Sequence, residues 1–113
     1  MNGEVPRLDE TFHAPARLGI MTLLLQWGKG SFPDLKRALG LTDGNLGAHI
    51  RVLEEAGYVS VDKRFEQRKP RTICHVTPAG RRAFGKYLTQ LEQVIEMAKA
   101  PGFASSPRGR SAP

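Results

Sequence analysis

Five cationic side chains fall within a short stretch of this sequence: Lys63, Arg64, Arg68, Lys69 and Arg71. Clustered lysine and arginine bind polyanions, because each neutralised phosphate releases condensed counterions. Residues 58–86 hold eight Lys/Arg against two Asp/Glu, a net +6, whereas residues 1–57 total −1 and residues 87–113 total +1. The segment therefore indicates binding to a polyanion such as nucleic acid. A hydrated basic face that only keeps the protein soluble is the alternative, and charge alone favours neither.

A second stretch, LTDGNLGAHIRVLEEAGYV at residues 41–59, combines a helical apolar pattern with a small opposite face. Two glycines, Gly44 and Gly47, each cost a helix about 1 kcal/mol relative to alanine. On a helical wheel the outward positions of the first two turns are Gly44, Asn45 and Ala48. A bare face of this kind allows a helix to enter a major groove closely. The buried side is defined by Leu46, Ile50 and Leu53.

Three polar side chains of this helix are candidates for direct contact with a nucleic acid. Asn45 offers both a donor and an acceptor to a base edge. Arg51 faces outward and could reach a base edge or a phosphate, although pairing with Glu54 or Glu55 at helical spacing is the alternative. His49 lies at the edge of the buried side, where we expect a structural or phosphate-binding role in preference to metal binding.

Cys74 and His75 are the residues that invite a metal-binding interpretation. Neighbouring strand residues point to opposite faces, so these two side chains cannot easily ligate one ion. We expect no metal site, and we expect Cys74 to be a small core residue. No Ser/His/Asp arrangement, phosphate-cradling glycine loop or paired carboxylate set stands out. The sequence favours a binding protein that is not an enzyme and uses no cofactor.

The apolar periodicity places these side chains on a succession of short elements. Thr42 and Thr77 are the expected N-caps of the third and fourth helices, and Ser31 or Phe32 opens the second. The predicted elements are a helix from Pro15 to about residue 28, helices over 31–39 and 42–56, strands over 58–63 and 71–76 joined by a charged tip over 64–70, and a helix over 78–100.

This order predicts an α+β, mainly α fold, namely a winged helix-turn-helix with a two-stranded wing and a long C-terminal dimerisation helix. We expect four regions: a lead-in over 1–13, the DNA-binding domain over 14–77, the dimerisation helix over 78–100 and a disordered basic tail over 101–113. The longest apolar run, residues 18–27, is too short to span a membrane, and a single cysteine cannot form an internal disulfide. A cytoplasmic location is expected.

Four segments resemble the winged-helix DNA-binding transcriptional regulators related to the MarR and ArsR groups: HAPARLGIM, FPDLKRALGLTDGNLGAHIRVLEEAGYV, KRFEQRKPRT and TPAGRRAF. The resemblance covers roughly residues 11–90 and implies a small bacterial or archaeal regulator that dimerises and binds duplex DNA. It implies contacts from Thr42, Asn45 and the following turn, and from the basic wing tip. With the residue-level reasoning above, the predicted DNA-binding residues are Thr42, Gly44, Asn45, Ala48, His49, Arg51, Arg64, Arg68, Lys69 and Arg71.

The last predicted helix carries an apolar stripe beyond the point where a three-helix core can cover it, around Ala83 and Phe84. Exposed in a monomer, such a stripe is a contiguous patch of the kind that marks an association site. Two-fold pairing would bury it and would require a pseudo-palindromic DNA site. Folding of the stripe back onto its own domain is the alternative. The predicted interface consists of Tyr87, Leu88, Leu91, Val94, Ile95 and Ala98.

These observations favour a homodimeric regulator of transcription that represses by occlusion. Two other functions stay open at this point. One is a MarR-like sensor with an effector of unknown identity in the dimer cleft, which a ligand-induced shift in melting temperature would support. The other is a winged helix used for protein–protein assembly, which strong salt dependence of DNA binding would exclude.

Overall fold

The computed structural model describes residues 4–101 of the chain. The predicted α+β, mainly helical winged helix-turn-helix is confirmed. Among these residues, no helix is both long enough and apolar enough to cross a membrane. The predicted tail lies outside the described residues apart from Pro101. The elements are α1 (Pro15–Trp27), β1 (Gly30–Ser31), α2 (Phe32–Leu39), α3 (Asp43–Glu55), β2 (Val59–Glu66), β3 (Lys69–Val76) and α4 (Pro78–Ala98), preceded by a 3-10 turn over Glu10–Phe12.

Hydroxyl caps fix where three of the helices begin. Ser31, Thr42 and Thr77 precede α2, α3 and α4, and each hydroxyl accepts a hydrogen bond from the backbone N–H three residues later, at 3.2, 3.1 and 2.9 Å. Each such cap contributes about 1 kcal/mol, because it satisfies a donor that the first helical turn leaves free. The Thr42 and Thr77 caps were predicted, and the structure selects Ser31 over Phe32 as the cap of α2.

The sheet has a third strand that the sequence pattern did not predict. β1 pairs antiparallel with β3, with Gly30 opposite Cys74 and Ser31 opposite Ile73, which gives the strand order β1-β3-β2. Two residues are too few to show a period of two, so no pattern could indicate this strand. Its effect is to attach the base of the wing to the segment between α1 and α2.

The strands of the wing are longer than predicted, and the turn that joins them is shorter. The prediction of a polar tip over 64–70 is wrong, because β2 continues to Glu66 and β3 begins at Lys69. Only Gln67 and Arg68 form the turn, with φ of 50° and 65°. A two-residue turn with both φ positive matches the twist of paired strands, but it is usually built from Asn and Gly. This turn contains neither Asn nor Gly, so nothing in the sequence indicated a tight turn, and the polar residues over 64–70 were interpreted as a loop.

The N-terminal segment belongs to the core and is not merely a lead-in. Phe12 is fully buried. The centroid of its ring lies 4.8 Å from that of Tyr58, 5.1 Å from that of Phe84 and 5.5 Å from that of Tyr87. One aromatic side chain at the end of the 3-10 turn therefore joins the corner after α3 to the first turns of α4.

A partly buried hydrogen bond reinforces this connection. The Tyr58 hydroxyl donates to the Asp9 carboxylate at 2.7 Å, and the Thr11 backbone N–H donates to it at 3.0 Å. Burial alone would raise the pKa of Asp9, but these hydrogen bonds outweigh it and hold the pKa below its ordinary value. This contribution to stability is therefore present near neutral pH and is lost as the pH falls through the folded-state pKa.

The structure removes Tyr87 from the predicted dimer surface. Tyr87 is only 2 % exposed, and its hydroxyl lies 3.2 Å from His13 Nδ1 within the same chain. The domain thus covers α4 one turn further than expected, because Phe12 and His13 pack there. Beyond Tyr87, Leu91 is partly covered by the core, whereas Leu88 is 40 % exposed and Ile95 is 43 % exposed.

A first testable consequence concerns Gly80, where α4 packs directly on the backbone of Tyr58. A Cβ at Gly80 would lie 2.1 Å from the Tyr58 carbonyl oxygen, which cannot move without disturbing the chain around it. We expect Gly80→Ala to lower the free energy of unfolding by about 3 kcal/mol, at the upper end of overpacking effects. Gly85→Ala is the matched control: it meets nothing within 4 Å and should gain up to about 1 kcal/mol of helix stability. Equal effects in urea unfolding would contradict this packing.

Candidate nucleic-acid interface

The structure orients α3 as the sequence pattern predicts. Leu46 and Leu53 are fully buried and Ile50 is 5 % exposed, so one side of the helix packs on the domain. The opposite side is open to solvent from the cap onward. The exposed residues of that side include Val52 and Glu55 near the end of the helix and five from the cap to its third turn, namely Thr42, Gly44, Asn45, Ala48 and Arg51. All five were predicted to contact DNA, and they share one accessible face.

The two glycines of α3 serve no purpose in the packing of the domain itself. A Cβ at Gly44 or Gly47 would meet no heavy atom within 4 Å, and both residues have ordinary helical φ. Alanine would therefore fit at both positions and would favour the helix by about 1 kcal/mol each. The missing side chains leave a shallow outer surface on which another molecule can approach the helix backbone.

His49 is held by a residue of α1 that the sequence analysis did not single out. Arg17 places Nη1 3.1 Å from His49 Nδ1, and its Nε donates to the Thr11 carbonyl at 2.6 Å. A guanidinium only donates, so Nδ1 of the neutral imidazole must accept, and the ring proton lies on Nε2. His49 is thus oriented as a donor. Nothing near Arg17 in the sequence signals this contact, which joins residues 32 positions apart.

The wing cations lie on different faces of the hairpin. Residues directly opposite in the β2–β3 ladder share a face. Arg64 is opposite Arg71, and Lys63 is opposite Thr72. Arg64 and Arg71 therefore lie on one face, Lys63 on the other, and Arg68 in the turn. The basic cluster is divided in a way that the linear spacing did not reveal.

Arg64 also differs from the other wing cations in its partners. Its Nε donates to Asp62 at 2.7 Å and its Nη1 to Glu66 at 3.2 Å, on the same face of β2. The hydrogen bond to Asp62 is the main reason why the pKa of Arg64 is raised. Within residues 4–101, no acidic partner lies within ion-pair distance of the remaining cations, Lys63, Arg68, Lys69 and Arg71.

A cleft of about 290 Å³ separates the outer part of α3 from the base of the wing. Arg51 and Glu54 contribute from the helix, and Lys63 and Thr72 contribute from the hairpin. A second cleft, of about 490 Å³, lies between the start of α2 and Lys69 and Arg71. Of the predicted DNA-binding residues, Arg51 thus borders the first cleft, and Lys69 and Arg71 border the second.

Cys74 and His75 do not form a joint site. Cys74 is fully buried in the core cluster, as predicted, and burial raises the pKa of its thiol to about 11. His75 is half-buried and follows it on the opposite face of β3. The His13 ring lies away from this pair, with Nδ1 3.2 Å from the Tyr87 hydroxyl. Across the described part of the chain, no three His, Cys, Asp or Glu side chains converge on a metal-sized site.

An open helix face beside a basic two-stranded wing defines a winged-helix nucleic-acid-binding protein. A family model described as a winged helix DNA-binding domain matches residues 16–95. An uncharacterized protein of Methanocaldococcus jannaschii is 37 % identical over 83 residues, which cover 74 % of this chain and 90 % of that protein. The chain belongs to the winged helix DNA-binding family.

Solved structures assign the class within that family. A transcriptional regulator homologue from Pyrococcus horikoshii OT3 is similar with a TM-score of 0.75 and 38 % identity, over 81 % of this chain and 91 % of that one. A chain assigned to the MarR family of transcriptional regulators, from Enterococcus faecalis V583, has a TM-score of 0.67 and 26 % identity, over 80 % and 81 %. The protein is a winged-helix transcriptional regulator of the MarR/ArsR type.

Proposed function

We propose that this regulator is a homodimer that binds a pseudo-palindromic operator sequence-specifically and represses transcription in the cytoplasm by occluding that site. The observation that carries the proposal is the outer face of α3. The outward positions of its first two turns are small residues and one amide, at Gly44, Asn45 and Ala48, with open space above the glycines, while the exposed Asp43 on the flank is paired with Lys36 at 2.9 Å. Such a surface fits the floor of a major groove, where side-chain bulk would prevent base contact.

Each candidate residue has a role that follows from its position. Asn45 would contact a base edge from the first turn, since its amide both donates and accepts. Thr42 and Arg51 would contact phosphates or base edges at either end of the exposed face. His49 would donate through Nε2, because Arg17 occupies Nδ1. These contacts supply sequence discrimination, whereas the wing supplies affinity.

The ion pairs of the wing divide its cations into those available for DNA and one that is not. Arg68, Lys69 and Arg71 have no carboxylate partner among the described residues, so their charges are available for phosphates or the minor groove. Arg64 was predicted alongside them, but Asp62 and Glu66 already neutralise it. We therefore assign Arg64 to holding the hairpin and not to a primary phosphate contact.

Salt dependence of duplex binding tests this function. If two wings neutralise about six to eight phosphates, log K should fall against log salt with a slope of about −5 to −7. Arg68→Ala with Lys69→Ala removes four contacts per dimer and should flatten the slope by about 3 to 4, at about 0.9 per phosphate. Binding to a random-sequence duplex can be followed by fluorescence anisotropy between 50 and about 300 mM salt, a range over which such slopes are measurable.

The control for this measurement is Arg81→Ala with Arg82→Ala. These two cations are exposed near the start of α4, and their removal changes the net charge by the same amount. We expect the control to keep the wild-type slope. An unchanged slope in the wing variant, or an equal loss in the control, would show that binding does not use the wing.

A further inference from the structure

The most exposed large apolar side chain in the described part of the molecule lies at the wing tip. Phe65 is 73 % exposed, one residue before the end of β2. Its partner directly across the ladder is Pro70. Phe65 contributes little burial of apolar surface to folding, because the small ring of Pro70 leaves most of its side chain in solvent. Its hydration is a cost that burial against another molecule would remove.

The register places Phe65 on the side of the hairpin that faces α3. Phe65 and Pro70 share a face with Lys63 and Thr72, and further in with Val61. Lys63, Thr72 and Val61 line the cleft beside α3. The apolar pair thus extends this face outward. From Val61 to the turn at Gln67, the hairpin projects on the order of 20 Å at 3.3 Å per residue.

The charges around Phe65 indicate what kind of surface it meets. Lys63 lies two residues before it on the same face, Arg68 lies in the turn that follows β2, and neither cation has an acidic partner among residues 4–101. An apolar protein surface would have to desolvate these cations without compensation. A nucleic-acid groove instead pairs them with phosphates on both sides while offering sugar edges and base faces to the ring. The combination suits the minor groove of duplex DNA.

We propose that Phe65 is a wedge that enters the minor groove next to the major groove occupied by α3, and that it partly unstacks one base step. This inference rests on the proposed function, and it adds a contact residue and a source of specificity to it. Apolar wedges unstack and kink the duplex, and pyrimidine–purine steps such as TA yield most easily. Phe65 thereby creates a preference for TA steps beside each half-site without a hydrogen bond to any base.

The test uses the full chain and a duplex of alternating A and T in which one adenine is replaced by 2-aminopurine, whose fluorescence rises when it unstacks. Wild type should bind and raise the fluorescence at saturation. Phe65→Ala should lose the rise and about tenfold in affinity, the order expected for one aromatic–base contact, with the salt slope unchanged. Phe65→Leu keeps an apolar side chain and should keep part of the rise. Arg68→Ala should bind more weakly but reach the full rise at saturation.

The possible outcomes distinguish failure of the wedge proposal from failure of the proposed function. Failure of wild type to bind duplex DNA contradicts both proposals. Binding by wild type with the same fluorescence and affinity in Phe65→Ala contradicts the wedge and leaves the proposed function standing. Melting temperatures show whether the hairpin survives in each variant. If Phe65→Ala unfolds, Phe65→Leu is the deciding variant: a folded Leu variant with the full wild-type rise and wild-type affinity overturns the wedge.

Discussion

Ala48→Glu is expected to abolish DNA binding while the protein stays folded. Ala48 is exposed in the second turn of α3, on the face that also carries Gly44 and Asn45. Glutamate there would fill the space left by the small residues and would place a carboxylate among phosphates, twice per dimer. Opposed like charges cost several kcal/mol, so we expect the affinity to fall about 100-fold or more. Anisotropy titration with a bound duplex measures this loss.

Ala79→Glu is the matched control for that experiment. Ala79 is likewise exposed, and it lies in the first turn of α4, where a carboxylate is compatible with the helix dipole. The substitution makes the same change in net charge away from α3. We expect nearly wild-type binding and melting temperature. If Ala48→Glu binds as tightly as Ala79→Glu, α3 does not enter the groove.

Leu88→Glu combined with Ile95→Glu is expected to convert the protein into a folded monomer that binds DNA weakly. These residues are 40 % and 43 % exposed and lie two helical turns apart on one side of α4. Burial of such a stripe between two copies is the driving force that we propose for dimerisation. Charges facing each other across a two-fold axis would oppose it. Loss of the dimer should cost at least about 100-fold in operator affinity, because two linked half-sites are replaced by one.

The choice of residues for this experiment follows from the structure. Tyr87 is a core residue, and Leu91 packs partly on the domain, so glutamate at either position would disturb folding as well as association. Thr89→Glu with Gln93→Glu is the control, since both residues are exposed on the other side of α4. Sedimentation should give a dimer for wild type and for the control. A wild-type monomer at micromolar concentration would contradict the proposed assembly.

The helix-turn-helix was predictable because several local signals agree at the same residues. Thr42 caps α3 as expected, and Leu46 and Ile50 lie on its buried side as the helical period requires. Thr77 followed by Pro78 begins α4 for the same reason. Caps and periodicity act over a few residues, so the sequence displays them directly.

Features that depend on distant partners were not predictable. Phe12 has no periodic context, and only Tyr58, Phe84 and Tyr87 make it a core residue. β1 is a strand only because β3 lies beside it. The burial of Tyr87, which corrected the dimer surface, follows from the same N-terminal segment.

The candidate site shows the same division. The outward face of α3 was inferred from its helical wheel. Arg64 pairs with Asp62 and Glu66 because all three lie on one face of β2. The sequence pattern predicted that this strand ends at residue 63, so the pairing could not be predicted. Phe65 was overlooked because it lay inside a segment expected to be a loop. With β2 continuing to Glu66, the alternation Val59, Val61, Lys63, Phe65 would have placed it on the face toward α3.

Selection of bound sequences from a random duplex library tests the central claim most directly. A dimer that inserts one α3 helix into each of two successive major grooves should enrich an inverted repeat. The centres of its half-sites should lie about 10 base pairs apart, one turn of the duplex. Enrichment of such a repeat by wild type, and its loss in Ala48→Glu, is the result that we predict. A library that stays unenriched, or that yields a lone half-site without two-fold symmetry, would contradict a dimer reading DNA through α3.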